Sequence, residues 1–207
     1  MSQYFEIHPI NPQKRLIQQA AEIIRTGGVV VYPTDSGYAI GCQLGNKAGV
    51  DRICQIRDLD KEHNFTVMCR DLSELSIYAR VDNDAFRLLK NNTPGPYTFI
   101  LKGTKEVPKR LLNPKRKTIG IRVPSNKIAL AMLEEMDEPI MSTSLILGDN
   151  DLTESDPDVI RQRLEKRVDL IIDGGNKAQH PTTVVDLSEG APEIRRRGAG
   201  DSAPFEF

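Results

Sequence analysis

Three short segments pair an apolar run with a cluster of hydroxyl side chains. Val29-Val30-Val31-Tyr32-Pro33 runs into Thr34-Asp35-Ser36, and Glu138-Pro139-Ile140-Met141 runs into Ser142-Thr143-Ser144. Gly174-Gly175 leads through a loop to Thr182-Thr183 and Val184-Val185-Asp186. Hydroxyls and backbone N–H groups at strand ends are good donors to phosphate or carboxylate oxygens. Any one such segment alone reads better as serine and threonine capping a turn. Three in one chain, with Arg57, Arg122 and Arg196 following other elements, point to a site for an anionic ligand. Arg122 lies inside the apolar run Gly120-Ile121-Arg122-Val123-Pro124. A guanidinium in such a run is costly unless it reaches a partner, and its planar fork matches carboxylate or phosphate. That partner is either a ligand or an Asp or Glu of the chain itself.

A second feature is the basic run from Lys102 to Lys117, which holds Lys102, Lys105, Lys109, Arg110, Lys115, Arg116 and Lys117 against Glu106 alone. It suits an anionic partner such as RNA, or a solvated surface loop. There is no Walker-type phosphate loop, no G-x-G-x-x-G and no G-x-S-x-G nucleophile elbow. Cys42, Cys54 and Cys69 are odd in number and lack metal-ligand spacing, as do His8, His63 and His180. They read as reduced thiols and scattered imidazoles, with no metal site.

The elements that must position these residues follow from periodicity. Asn11 and Pro12 open a helix with Leu16, Ile17, Ala20, Ala21, Ile23 and Ile24 on one face, and Gly27-Gly28 ends it. Val29 to Tyr32 reads as a strand buried on both faces and ended by Pro33. Further helices are expected over 47–57, 84–91, 128–136 and from Asp156-Pro157 to about 167. Further strands are expected over 65–69, 97–101, 118–123, 140–146, 168–172, 183–187 and 193–197. Strands outnumber the helices between them, so the expected fold is α/β (α+β), a mixed twisted open sheet with helices packed on it. The 207 residues, 39% hydrophobic and 28% charged with a formal net charge of -1, fit one globular domain over 1–207. No apolar run approaches a membrane span and Met1 to Pro9 does not read as a secretory signal, so a cytoplasmic location is expected.

Taken in order, Gly27 through Tyr38, Pro94-Gly95-Pro96-Tyr97-Thr98-Phe99-Ile100-Leu101, Thr118 through Pro124, Ser142-Thr143-Ser144 and Thr182 through Asp186 resemble the YrdC/YciO family, and within it the YciO branch. The resemblance covers about Asn11 to Asp201. It implies a twisted open sheet with a concave basic face, and binding of nucleotide and of double-stranded RNA or tRNA. The YrdC branch makes threonylcarbamoyl-adenylate from threonine, bicarbonate and ATP, releasing pyrophosphate, for the threonylcarbamoyl modification of adenosine 37 in tRNA. By matched position, Thr34, Ser36 and Thr182 would bind the substrate. Thr98, Arg122, Ser142, Ser144 and Arg196 would line the site for ATP or AMP, and Arg57 would be catalytic. Lys115, Arg116 and Lys117 would contact RNA, and magnesium would bridge the phosphates.

Two departures from the synthase pattern stand out. The synthases carry Lys-x-Arg where this chain has Arg57-Asp58-Leu59, and Ser-x-Asn where it has Ser144-Leu145-Ile146. Lost cations opposite a phosphate lower turnover more than binding; Lys61 and His63 are the nearby candidates to replace one. The sequence therefore supports a nucleotidyltransferase of weak or altered activity, or a non-catalytic RNA-binding protein. A regulatory partner with no small ligand would need the hydroxyl segments to be turns only.

Overall fold

The computed structural model describes residues 1–59, 63–148 and 152–206. Lys61 lies outside the described residues. Ten strands form one sheet in the order β1-β8-β2-β3-β7-β4-β6-β5-β9-β10. The strands are β1 (Gln3–Glu6), β2 (Val30–Thr34), β3 (Gly37–Gln43), β4 (Thr66–Met68), β5 (Tyr97–Lys102), β6 (Thr118–Arg122), β7 (Ile140–Ser144), β8 (Leu170–Asp173), β9 (Thr183–Asp186) and β10 (Glu193–Arg196). The helices are α1 (Lys14–Arg25), α2 (Lys47–Arg57), α3 (Leu72–Tyr78), α4 (Asn83–Asn92), α5 (Lys127–Met136) and α6 (Pro157–Leu164). The sheet is mixed, as expected: β1–β8, β2–β8, β4–β6 and β5–β9 are parallel and the other neighbours antiparallel. Among the described residues no helix is long and apolar enough to cross a membrane.

The two faces of the sheet are covered unequally, and this creates the site. Successive side chains along a strand alternate between faces. Val31, Ile40, Val67, Phe99, Ile121, Met141 and Val185 pack on one face with Val50 and Ile53 of α2, Leu75 of α3, Leu89 of α4 and Ile160 of α6. Val30, Tyr32, Ala39, Ile140, Leu170 and Ile172 pack on the other with Ile17, Ala20, Ala21 and Ile24 of α1 and Ile128, Ala129, Met132 and Leu133 of α5. The second cluster reaches no further than Met68 of β4. Beyond it, the same face of β6, β5 and β9 presents Gly120, Thr98, Ile100 and Val184 to a cavity instead of a helix.

Several expectations are corrected. A strand, β1, precedes the first helix. Asn11 does not cap α1. Its N–H donates to His8 Nδ1 at 3.0 Å, and Gln13 holds the cap position with no side-chain bond. Pro33 does not end β2: pairing with β8 stops at Val31, so no ladder partner on that side needs a Pro33 N–H, while pairing with β3 continues to Thr34. Helix α6 ends at Leu164, and β3 and α3 are additional elements.

Candidate functional site

A cavity of about 410 Å³ opens on the uncovered face. Four guanidinium-bearing residues line it: Arg57 at the end of α2, Arg116 from the turn before β6, and Arg195 and Arg196 from β10. Hydroxyls come from Thr66, Thr98, Thr143, Ser144 and Thr182, and apolar surface from Ile100, Ile146 and Val184. The described lining contains no carboxylate, and the carboxylates that pair with two of its arginines, Asp186 and Glu193, lie outside it, so the lining presents more cationic than anionic groups although the chain as a whole is nearly neutral. Confined like charges with low-dielectric walls concentrate the field, which favours an anionic ligand.

The hydroxyls are held in place by one another. Thr98 Oγ1 and Thr182 Oγ1 are 2.8 Å apart, a pairing that the parallel register of β5 on β9 makes possible, with Tyr97 opposite Thr183. Arg57 Nε donates to the Ser144 carbonyl at 2.7 Å, and its Nη1 donates to the Ile146 carbonyl. Arg57 thereby ties the segment after β7 to the end of α2. His63 lines the cavity with Nε2 at 3.1 Å from Thr143 Oγ1.

The rim is fixed by Asp186, which is buried at the end of β9. It accepts from Arg116 Nη1 at 2.8 Å, from Arg195 Nη2 at 3.1 Å and from Ser188 Oγ at 2.6 Å. Burial alone would raise its pKa. The hydrogen bonds from Arg116, Ser188 and Arg195 outweigh that and bring it down to about 2.

The residues singled out from the sequence fall into three groups. Arg57, Thr98, Ser144, Thr182 and Arg196 share the cavity, so the proposed substrate residue Thr182 and the proposed nucleotide residues Thr98 and Arg196 form one hydrogen-bonded set. Thr34, Ser36, Ser142 and Arg122 lie outside that lining and are buried. Thr34 Oγ1 donates to the Gly37 carbonyl at 2.7 Å and accepts from Ser36 N at 3.2 Å, so both residues close the β2–β3 turn. Gly37 sits at φ +106°, which an L side chain rarely adopts. Ser142 Oγ lies 2.7 Å from Tyr32 OH. Arg122 forms an ion pair with Asp35, whose Oδ2 also accepts from Ser125 N at 2.8 Å and Ser125 Oγ at 2.9 Å. The internal carboxylate is thus the partner of Arg122, and burial pulls its guanidinium down to about 10.

The third group is the basic turn. Lys115 and Lys117 are exposed, whereas Arg116 turns inward to Asp186 and the cavity. Asn113 Oδ1 accepts from the N–H groups of Lys115 and Arg116, folding the turn so that the middle side chain points opposite to its neighbours. Sequence reasoning missed the lining residues Thr66, Asn64 and Ile100; among them only Thr66, a polar residue opening an apolar strand, carried a signal.

Leu59, at the position of the missing cation, packs against the hydrophobic core and is absent from the cavity lining. Ile146, at the position of the missing asparagine, does line the cavity. Among the described residues no group of three His, Cys, Asp or Glu is placed to hold a metal ion, so the lining does not fit a resident magnesium ion.

A ten-stranded open sheet with one uncovered, arginine-lined face defines a class of protein: the chain belongs to the Sua5/YciO/YrdC family, whose model, described as telomere recombination, matches residues 22–198. Within it, the chain is 66% identical to the Escherichia coli protein YciO over 205 residues, 99% of this chain and 100% of that one. The crystal structure of Escherichia coli YciO matches with a TM-score of 0.97 over 100% of both chains. A threonylcarbamoyl-AMP synthase from Pyrococcus abyssi is 29% identical over 195 residues, 91% of this chain and 57% of that protein. The crystal structure of Pyrococcus abyssi Sua5 complexed with L-threonine matches with a TM-score of 0.86 and 25% identity, over 94% of this chain and 57% of the other.

Proposed function

We propose that the cavity binds a nucleotide and that the chain is a threonylcarbamoyl-adenylate synthase-like nucleotidyltransferase with altered turnover. The observation that carries this reading is the cavity itself: four arginines and five hydroxyls converge on it from seven separated segments, with no carboxylate among the described lining residues and with Asp186 at the rim holding two of the arginines in place. Guanidinium groups and hydroxyls suit the oxygens of a phosphate chain. Thr98, Thr182 and Arg196 hold the phosphates from one side, and Ser144 holds them from the other. Arg57 keeps the Ser144 segment in place. Asp35 and Arg122 support the site from behind. In the proposed chemistry, the threonine amine condenses with hydrogen carbonate, forming a C–N bond and releasing water as a C–O bond breaks, to give a carbamate. A carbamate oxygen then attacks the α-phosphorus of ATP, and pyrophosphate leaves with the electron pair of the broken P–O bond. The arginines stabilise the charge that builds on the departing oxygens. Threonine and ATP are the natural first ligands to test, given the threonine bound to the Pyrococcus abyssi relative.

A second reading has one observation in its favour. Ile146 places an apolar side chain in the cavity where the synthase pattern has an amide, and this favours a protein that binds nucleotide or RNA without turnover. Incubation with ATP, threonine and labelled hydrogen carbonate, followed by chromatography for the adenylate, decides between the two. Adenylate formed in proportion to enzyme supports the first. Tight ATP binding by calorimetry without adenylate supports the second. No ATP binding removes the nucleotide reading altogether.

A further inference from the structure

Five hydroxyl side chains line the cavity, and they are not equally engaged. Thr98 and Thr182 bond one another through Oγ1, and Thr143 Oγ1 lies 3.1 Å from His63 Nε2. The Thr66 and Ser144 hydroxyls have no hydrogen-bond partner among the described residues. Ser144 already has a part in the phosphate site, and Thr66 has none. Thr66 opens β4 and is half-buried, whereas Asn64, two residues earlier on the same lining, is exposed. Register sets what Thr66 faces. It pairs with Gly120 of β6, and Gly120 pairs with Ile100 of β5, so the three form one row across the cavity floor. A Cβ on Gly120 would lie 2.9 Å from Thr66 Oγ1, 3.1 Å from the Phe65 carbonyl oxygen and 3.2 Å from Thr98 Cγ2. Only glycine fits there without a shift of its neighbours, and the backbone stays bare. Glycine inside a strand weakens it and marks a place where a ligand or another backbone comes close. Thr66 Oγ1 overhangs this bare backbone from one side. From the other side Thr98 turns its methyl, because its hydroxyl is committed to Thr182. The Ile100 side chain has no polar atom. Thr66 is therefore the hydrogen-bonding side chain at this point of the floor.

We propose that Thr66 is a phosphate-contacting residue whose hydroxyl donates to a phosphate oxygen seated over Gly120. The seat lies between the contact of Thr98, Thr182 and Arg196 on one side and Ser144 on the other, so it falls in the middle of the phosphate chain. The proposal rests on the reading of the cavity as a nucleotide site. The charges of that site are those of Arg57, Arg116, Arg195 and Arg196, together with the carboxylates Asp186 and Glu193 that pair with two of them. A hydroxyl adds no charge to that balance. It adds direction: a rotatable O–H aims at one oxygen, and the missing side chain on Gly120 lets that oxygen come within hydrogen-bond distance.

The test is calorimetry of ATP and of inorganic tripolyphosphate binding to wild type, Thr66→Val and Thr66→Ser, with a thermal melt of each. Valine keeps the shape and strand preference of threonine and removes the hydroxyl, whereas serine keeps the hydroxyl. Thr66→Val should bind both ATP and tripolyphosphate about tenfold more weakly, the low end for a hydrogen bond to a charged group, with Tm not lowered. Thr66→Ser should keep most of the affinity for both. ATP affinity in Thr66→Val equal to that of wild type would overturn the proposal and leave the nucleotide site standing. Equal losses in the two variants would assign the effect to packing, and a loss for ATP without one for tripolyphosphate would assign the hydroxyl to the nucleoside; either result overturns the phosphate contact. Absence of ATP binding by wild type would overturn the proposal and the nucleotide reading together.

Discussion

Arg196 grips Thr182 at two points: Nε donates to the carbonyl at 3.1 Å and Nη2 to Oγ1 at 3.2 Å. Because Thr182 Oγ1 is also within 2.8 Å of Thr98 Oγ1, β10, β9 and β5 meet in one polar contact at the cavity wall. Under the proposed function, this contact is where a phosphate is held. Arg196→Ala should weaken ATP binding by about 1.5–3 kcal/mol, the range for a charge-assisted hydrogen bond. Calorimetry reads it directly, and Thr182→Val, which keeps the shape and removes the hydroxyl, should lower affinity by a smaller step in the same direction. ATP affinity unchanged in both variants would place the phosphates elsewhere.

Arg122 should behave as a residue of stability. Arg122→Met leaves the half-buried Asp35 carboxylate, still held by Ser125, opposite an apolar side chain, a loss of about 3 kcal/mol, the low end for a broken buried pair. For a chain of this size each kcal/mol is worth about 2–4 °C in Tm. The double variant Arg122→Met/Asp35→Asn should lose less than the sum of the single ones, because the two groups act as a pair. Strict additivity in thermal melts would show that the ion pair contributes nothing.

The Asp186 cluster predicts an acid limb to stability. Its folded pKa is about 2 against an ordinary 3.8, so the carboxylate contributes stability that is fully present above the ordinary value. That contribution, about 2 kcal/mol, is lost as pH falls from about 4 through about 2. Urea midpoints measured from pH 5 downward should drop over this window. Asp186→Asn should start lower and drop less steeply; an identical slope would assign the acid limb to other carboxylates.

The two departures from the synthase pattern should respond in opposite ways. Ile146→Asn restores an amide on the cavity lining and should raise adenylate formation by about tenfold, equivalent to about 1.4 kcal/mol of barrier. Leu59→Arg forces a guanidinium against the core that Leu59 packs on and should lower Tm with no comparable gain in rate. A rate gain confined to Leu59→Arg would mean that the loop carries its side chain into the cavity during turnover.

RNA binding, if it uses the basic turn, should depend on its outer residues. Lys115 and Lys117 are exposed, whereas Arg116 is engaged with Asp186 and Ser188. Replacing both lysines with glutamine should reduce the slope of log affinity against log salt by about two. Arg116→Gln should act mainly on thermal stability. A salt slope unaffected by the lysine pair would move the RNA face off this turn.

The sheet was legible wherever aliphatic, mostly β-branched residues run together, as in Val29 to Val31 and Leu170 to Ile172. It was not legible at β3, whose Gly37-Tyr38-Ala39-Ile40-Gly41 has weak strand propensity. There, Gly41 lies against β7 so closely that an added Cβ would meet the Met141 carbonyl at 2.7 Å. Tertiary packing selected a residue that local preference disfavours. The site was legible as residue types, since hydroxyls after apolar runs do gather. What the sequence left open was which hydroxyls face the cavity. Thr34 and Thr182 are both buried and both end or precede a strand, yet only Thr182 lines the cavity, because α1 and α5 cover one half of that face and leave the other bare. Arg122 was undetermined for a similar reason: its partner Asp35 is 87 residues earlier, beyond the reach of any local pattern.

The place of β8 in the sheet has a consequence for how the chain is made. β8 lies between β1 and β2, in parallel with both, and pairs Gln3 with Leu170 and Val30 with the same residue. During synthesis, β2 and β3 can close as a hairpin early, whereas β1 has no neighbour until the segment ending at Asp173 has left the ribosome. For most of translation the first strand is an unpaired edge with two apolar side chains, Tyr4 and Phe5, and an open edge of that kind is where nascent chains mispair. Its short length, four residues flanked by Gln3 and Glu6, limits that hazard. Ribosome-bound chains truncated just before and just after β8 should therefore differ sharply in protease resistance at their N-terminal end.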